Sequence, residues 1–311
     1  MSTPRTGLNI PEAGRNRRSS RSNLSLRDTW AMRWMRNDRR AMVGVSYLAL
    51  VVLAALIGPR GVGVGPNAQD LDKPNLGLGS PGHFLGTDDL GRDLLSRLLS
   101  GASISLRASL IAVSVGLALG LVAGLVAGYR GGILDAVIMR LADTILSFPL
   151  LIFVIALTSI AGPGITWAMI AMGIFFAPVF ARLIRSTVLQ VREQTYVKAA
   201  ITFGAGDWWI IRRHVLPNSI QPVIVQAALF LAAALLAEAS LSFLGLGVQP
   251  PDPAWGSMLG RGFGNRYDTA WQMIPPGLAI MLTAWAFNTV GDSLRDATDP
   301  RSSRRVVKRS L

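Results

Sequence analysis

The sequence predicts an all-α polytopic membrane protein with six transmembrane helices and both termini in the cytoplasm. Half of the 311 residues are hydrophobic and only 16% are charged, which is more apolar surface than a soluble chain of this length can bury. The charges crowd the two ends and a few short stretches, so that long uncharged runs separate them. These observations exclude a soluble enzyme, a disordered chain and a small secreted domain.

The first two uncharged runs predict the first two spans. Ala41–Gly58 is 18 residues long and Ala108–Tyr129 is 22 residues long, close to the ~20 residues that cross a bilayer. The second run carries four glycines at a spacing of four, which drifts only about 40° per step around a helix. Such a stripe predicts a tight helix–helix contact, with ordinary glycine enrichment as the alternative. The glycines are Gly116, Gly120, Gly124 and Gly128.

The third uncharged run is too long for one ordinary span. Thr144–Ala181 contains 38 residues, and Gly162-Pro163-Gly164 interrupts it in the middle with residues that end helices. We therefore predict two spans joined by a tight turn. Asp143 lies at the inner end of the first of these spans, where Arg140 three residues earlier could pair with it.

The last two spans follow a basic inner loop. Val215–Ala237 is uncharged, but its two early prolines predict that the fifth span starts near Gln221 and continues to about Leu246. Glu238 lies deep in this span, where a charge needs a partner, a proton or water. It is a candidate for the translocation path or an inter-subunit contact, with a structural hydrogen bond as the alternative. Thr269–Gly291 forms the sixth span.

The charge distribution sets the orientation and the organisation of the chain. Residues 1–40 hold ten arginines against three acids, and residues 292–311 hold six basic residues against three acids. Basic flanks lie on the cytoplasmic side, so these tails predict membrane orientation rather than nucleic-acid binding. The segment Leu24–Met42 fits either an amphipathic surface helix or a disordered basic tail. The predicted organisation is a basic N-terminal tail (1–40), a first span with an extracytoplasmic segment (41–101), a transmembrane core (102–292) containing an inner loop (182–217), and a basic C-terminal tail (293–311).

Several site chemistries are excluded by the residue types present. The chain has no cysteine and only two histidines, His83 and His214, far apart in sequence, so we predict no metal site. No Gly-rich phosphate loop leading into Gly-Lys-Ser/Thr is present. Paired carboxylates for an intramembrane enzyme are also absent, and only Glu238 could serve a stand-alone secondary transporter, which would need further ionisable relays.

The inner loop carries the most specific pattern. Gly204 is suited to a left-handed cap that ends one short helix, and Asp207 is predicted to cap the N-terminus of a second, with Pro217 ending the loop. Small residues in this basic, helical loop predict a docking surface that a partner groove can approach, with an amphipathic loop that lies on the membrane surface without a particular function as the alternative. The pattern strongly resembles the EAA loop of ABC-importer permeases, although Lys198 stands where that family usually has glutamate. The matching residues are Tyr196, Lys198, Ala199, Ala200, Gly204, Leu216 and Pro217.

Three further blocks resemble the C-type subunit of the oligopeptide/dipeptide/nickel permease family. They are HFLGTDDLGRDLLSR from His83, SFLGLGVQPPDPAWG from Ser242 and NTVGDSLRDATDPR from Asn288. Together with the inner loop they lie in order from about residue 40 to residue 301. The resemblance implies a type I ABC-importer permease fold and import of short peptides by alternating access, with nickel or another small solute as the alternative substrate and a stand-alone secondary transporter as an alternative of another class.

The resemblance also implies partners. In this family the inner loop forms coupling helices that sit in a cleft of the ATPase subunit. The expected assembly contains a homologous second permease, two ATPase subunits that bind ATP and Mg²⁺, an extracytoplasmic binding protein and the lipid membrane, and no nucleic acid. No cofactor is expected on this chain.

Overall fold

The protein is described by a computed structural model that covers residues 38–61, 63–162 and 164–298. Its helices are α1 (Arg39–Gly61), α2 (Leu94–Arg130), α3 (Gly132–Leu146), α4 (Leu150–Ala161), α5 (Ile165–Arg192), α6 (Thr195–Thr202), α7 (Asp207–Ile210), α8 (Leu216–Phe243), α9 (Trp255–Gly264), α10 (Arg266–Thr269) and α11 (Ile274–Thr298). A π-helical turn, Ile211–Val215, joins α7 to α8, and a 3₁₀ turn, Ala270–Met273, precedes α11.

Long apolar helices dominate the fold. Five segments within the described residues are long and apolar enough to cross a bilayer, and α3 and α4 supply a sixth when the bent pair counts as one span. The all-α class and the six spans are therefore confirmed. The predictions for Leu24–Met42 and for the C-terminal tail fall mostly outside the described residues.

The third span is not the single straight helix that the sequence predicts. Helix α3 already begins at Gly132, in what was expected to be an inner loop, and α3 and α4 meet at an angle of 96°. The break lies at Pro149, which has no N–H to donate and restricts the residue before it to extended conformations. The expected break between α4 and α5 at residues 162–164 is confirmed.

Helix α2 starts well before its predicted first residue, Ala108. The Asp93 side chain caps the helix by accepting a hydrogen bond from the Ser96 backbone N–H at 2.7 Å. A capped start satisfies backbone donors that would otherwise be unpaired. The helix therefore reaches Leu94, well beyond the uncharged run, and includes Arg97.

Helices α5 and α8 also extend past their predicted inner ends. Helix α5 continues beyond Ala181 as far as Arg192, so it includes the three arginines that follow the uncharged run. Helix α8 begins at Leu216 rather than near Gln221, and Pro217 lies in its first turn. Proline is tolerated there because the first helical N–H groups have no intrahelical acceptor.

The centre of the bundle is formed by α2, α5, α8 and α11, with the largest helix–helix contact between α2 and α5. The glycine stripe of α2 lies in that contact. A Cβ atom on Gly120 would lie 2.4 Å from the Phe180 Cβ, and one on Gly128 would lie 2.8 Å from the Val188 Cβ. The backbones approach so closely that no larger side chain fits without displacement. The same holds at Gly116 and Gly124.

The outer end is closed by the segment 63–93 and by the turns around α9 and α10. Arg92 is 2% exposed and its Nε donates to Asp88 Oδ2 at 2.7 Å. The Gln272 side chain donates to the Thr87 carbonyl at 3.0 Å, and the Trp255 indole donates to the Leu98 carbonyl at 2.9 Å. These bonds join segments that are distant in sequence into one polar cap.

Candidate functional site

The inner loop folds as two short helices joined by a tight turn. Helix α6 ends at Thr202 with Phe203 as its C-cap residue, and Gly204 follows with φ of +80°. The Gly204 N–H donates to the Ile201 carbonyl at 2.9 Å and the Ala205 N–H donates to the Ala200 carbonyl at 3.0 Å. This pair of bonds is a Schellman motif, which requires a left-handed residue. The glycine cap expected from the sequence is confirmed.

The second helix of the loop differs from expectation. Gly206, not Asp207, is the N-cap residue of α7. The Asp207 carboxylate instead accepts a hydrogen bond from the Tyr129 hydroxyl at 2.8 Å, which ties the loop to the inner end of α2. The expected end of the loop at Pro217 is also wrong, because helical structure continues from α7 through the π-helical turn into α8.

The loop is held against the bundle by hydrogen bonds and by buried apolar side chains. The Arg192 Nη1 donates to the Tyr129 carbonyl at 2.6 Å, and its guanidinium carbon lies 5.3 Å from the centre of the Tyr129 ring. Three apolar anchors of the loop are completely buried against the bundle. They are Val197, Ile210 and Val215. A force on the loop is therefore transmitted directly to α2, α5 and α8.

Aromatic rings pack α6 against the π-helical turn that follows α7. The Tyr196 ring centre lies 5.4 Å from that of His214, and the Trp209 ring centre lies 5.0 Å from the same histidine in an edge-on arrangement. Aromatic pairs at these separations and tilts are favourable beyond the area that they bury. Helices α6 and α7 and the π-helical turn are thus packed together as one unit.

The outward face of this unit is apolar and exposed. Phe203 is 90% exposed, and Ile201 and Tyr196 are 50% and 44% exposed. Ala199 and Pro217 are also exposed, whereas Ala200 and Leu216 are half-buried. Large apolar side chains clustered at a surface mark a site of contact with another protein or with lipid. The residues that resemble the EAA loop thus lie on one accessible projection at the inner end of the bundle.

Lys198 makes an ion pair with the residue that closes α5. Its Nζ lies 2.7 Å from Glu193 Oε2, and both side chains are largely exposed. The hydrogen bond from Lys198 lowers the pKa of the Glu193 carboxyl below its usual value of 4.5. The lysine that replaces the usual glutamate of the EAA loop is therefore paired within the chain.

Two ion pairs join α3 to α5 at the inner side, and sequence analysis missed both. Arg185 Nη2 donates to Asp135 Oδ2 at 2.6 Å. Arg182 pairs with Asp143, so the predicted pairing of Asp143 with Arg140 is wrong. The sequence carried no signal for these pairs, because the two arginines lie three residues apart, the two acids lie eight residues apart, and each pair joins two different helices.

Glu238 lies inside the chain, towards the outer end of α8. The residue is completely buried, and its Oε1 accepts a hydrogen bond from the Ser242 hydroxyl at 2.7 Å. The Ser105 hydroxyl of α2 also faces this carboxyl group. Ser242 in turn accepts the Val248 N–H at 3.2 Å. The structure thus places Glu238 in a polar network that joins α2, α8 and the loop after α8, far from the inner loop.

Curated proteins similar in sequence to this chain are named as permease proteins of transport systems. Among curated relatives, the probable D,D-dipeptide transport system permease protein DdpC of Escherichia coli (strain K12) is 42% identical over 82% of this chain and 85% of its own length. The glutathione transport system permease protein GsiD of Pectobacterium atrosepticum is 40% identical over 89% of this chain and 93% of its own length.

Solved structures and a family model agree with these relatives. An inward-facing structure of the MetNI methionine ABC transporter matches with a TM-score of 0.54 over 65% of this chain and 97% of the matched chain, at 19% identity, which shows a shared fold. The model of the binding-protein-dependent transport system inner membrane component matches residues 120 to 304. The chain therefore belongs to this family, as a multi-pass inner membrane permease of the ABC-importer type.

Proposed function

We propose that this chain is the permease subunit through which an ATP-driven importer passes short peptides from an extracytoplasmic binding protein into the cytoplasm. The observation that carries the proposal is the similarity, at 40% and 42% identity over more than four-fifths of the chain, to permeases named for glutathione and for D,D-dipeptides. Both substrates are short peptides. Nickel remains the alternative substrate within this family.

The inner loop is the proposed point of coupling to the ATPase. An exposed apolar surface needs a partner, and this one is fastened to α2 and α5 through Tyr129, Asp207 and Arg192 and continues into α8. When ATP binding brings two ATPase subunits together, their clefts would carry the loop with them and tilt α2, α5 and α8. The residues assigned to this contact are Tyr196, Lys198, Ala199, Ala200, Gly204, Leu216 and Pro217.

The remaining parts of the assembly follow from this assignment. Family membership implies an ATPase, a binding protein and a membrane as partners. We propose in addition a heterodimer with a second, homologous permease, with the substrate path between the two chains. ATP and Mg²⁺ would bind to two partner subunits, and this chain would hydrolyse no ATP and hold no cofactor or metal. The burial of Glu238 within the chain supports a structural role for its carboxyl group rather than a place on the path.

Uptake measurements in intact cells test the substrate assignment. Labelled di- and oligopeptides and labelled nickel are supplied to cells with and without this gene, before and after ATP depletion. We expect loss of peptide uptake alone, and we expect that uptake to depend on ATP. Loss of nickel uptake alone would overturn the peptide assignment and leave the permease role intact. Peptide uptake that follows the proton gradient instead of ATP would contradict the ATP-driven mechanism.

A variant of the loop tests the coupling role. Gly204→Trp places a bulky side chain on the exposed turn, where the left-handed backbone and an empty surrounding leave it no support. We expect the variant to reach the membrane at normal levels and to lose uptake. Gly79→Trp is the matched control, since Gly79 has φ of +75° and equally open surroundings at the outer end. Wild-type uptake by a normally abundant Gly204→Trp protein would contradict the role.

A further inference from the structure

A groove separates the inner part of α2 from the inner loop. It has a volume of about 540 Å³ and is bounded by α2 on one side and by α7, the π-helical turn and the start of α8 on the other. Leu121, Leu125 and Val126 of α2 line its apolar walls. Arg130 and Arg212 also line the groove and lie at the ends of these walls nearest the cytoplasm.

The groove has the length of one lipid acyl chain in one leaflet. From Leu121 to Arg130 a helix rises by about 13 Å at 1.5 Å per residue. The hydrocarbon core of a bilayer is about 30 Å thick, so the groove covers about the depth of the cytoplasmic leaflet. Its contents would face acyl chains rather than water. An extended peptide in this position would leave its backbone polar groups without partners, whereas an acyl chain has none.

The cytoplasmic mouth of the groove is basic. Arg130 and Arg212 are both exposed, and neither makes an ion pair with any part of the chain that the structure describes. The nearest acid on the loop, Asp207, accepts the hydroxyl of Tyr129. Trp208 lines the groove and is 74% exposed, in the position that tryptophan favours at the level of lipid headgroups.

We propose that this groove binds an anionic phospholipid of the cytoplasmic leaflet, with one acyl chain along Leu121 to Val126 and the phosphate between Arg130 and Arg212. Basic pockets at the cytoplasmic ends of spans suit anionic headgroups, and the apolar walls supply the rest of the binding surface. Such a lipid touches both α2 and the inner loop, so it braces the coupling unit against the bundle. The proposal goes beyond peptide import and does not depend on the substrate.

Lipid retention by the assembled transporter tests the proposal. The complex is purified in mild detergent, titrated with phosphatidylglycerol or phosphatidylethanolamine, and analysed by native mass spectrometry. We expect the wild type to retain phosphatidylglycerol in preference to phosphatidylethanolamine. The double variant Arg130→Gln/Arg212→Gln should weaken that retention by about 30-fold, because each arginine near an anionic headgroup contributes about fivefold. Arg107→Gln, an exposed arginine of the same helix outside the groove, should leave retention unchanged.

A second variant separates the groove from its charges. Val126→Trp fills the apolar part and keeps both arginines, so it should also lose phosphatidylglycerol. Co-elution of all subunits in size-exclusion chromatography verifies that each variant assembles. Wild-type retention by either groove variant would overturn the proposal, as would equal retention of the two lipids by the wild type. The proposal would also be overturned if the wild type held no lipid because residues 1–37 or a partner subunit occupied the groove.

Discussion

The outer and inner ends of the bundle differ in how far their charged and apolar side chains are buried. At the outer end Asp88 and Arg92 are 3% and 2% exposed and are paired with each other. At the inner end Phe203 is 90% exposed, and Arg130 and Arg212 find no carboxylate among the described residues. The outer end buries this ion pair within the chain, whereas the inner end leaves an apolar ring and two arginines exposed.

This difference matches what each end does in an importer. The outer cap joins segment 63–93 to α9 and to the turn before α11, so it can hold the outer ends of several spans in register. The inner loop must instead present a surface that another subunit moves. Substitutions at the outer end should therefore act on folding, and substitutions at the inner end should act on assembly and transport with little effect on folding.

The largest effect is expected from Asp88→Ala in the outer cap. The change leaves the buried Arg92 without its carboxylate and also removes the charge 3.7 Å from Arg97 Nε. Breaking a buried pair in this way costs about 3–5 kcal/mol. We expect a large loss of thermal stability of the purified protein. Asp72→Ala, an exposed acid of the same segment, is the control, and an equal loss in both variants would show that the cap is not closed by its buried pair.

A smaller loss of stability is expected in the middle of the bundle, at the contact between the glycines of α2 and helix α5. In Gly120→Val the new Cβ would lie 2.4 Å from the Phe180 Cβ and 2.7 Å from the Ala177 carbonyl oxygen. Overpacking of this kind costs about 1–3 kcal/mol. Thermal unfolding of the variant should show the loss, while Leu119→Val, on the exposed side of the same helix, should not. If Gly120→Val were as stable as the wild type, α2 and α5 would be able to move apart far enough to accommodate the larger side chain.

Features that depend on local sequence were predictable, and features that depend on helix neighbours were not. The lengths of the apolar runs and the charges of the tails are local, and they predicted the helical class and the six spans. The left-handed residue at Gly204 followed from the glycine itself. The bend at Pro149 was equally local but was outweighed by the absence of charge around it. The role of Asp207 depends on Tyr129 of α2, and the partner of Asp143 lies on α5. Neither follows from a sequence before the packing of the helices is known.

The variant Phe203→Ser should show most clearly how substitutions at the inner end differ in effect from those at the outer end. The ring is 90% exposed, so its loss should change the free energy of unfolding by no more than about 0.5 kcal/mol. We expect weaker capture of the ATPase subunits by the purified permease and slower ATP-dependent uptake. Trp255→Ser is the matched aromatic change at the outer end, where the side chain is 2% exposed, and it should act on stability. A stability loss in Phe203→Ser like that in Trp255→Ser would contradict the distinction.

The smallest effect on stability is expected at the ion pair of Lys198 with Glu193. The lysine lowers the pKa of Glu193, so the pair favours the folded state above the carboxyl pKa of the unfolded chain. That contribution is lost as the pH falls through the lowered pKa of the folded state. Both side chains are largely exposed, and water and salt screen such pairs.

We therefore expect Lys198→Met to unfold at the wild-type temperature at neutral pH and at acid pH alike. A difference that appears at neutral pH and vanishes in acid would show that the pair stabilises the fold, as the buried pairs of the outer cap do. Slower uptake with unchanged unfolding would instead place Lys198 in the contact with the ATPase. Because Lys198 replaces the usual glutamate of the EAA loop, that result would also mean that the partner cleft accepts the opposite charge at this position.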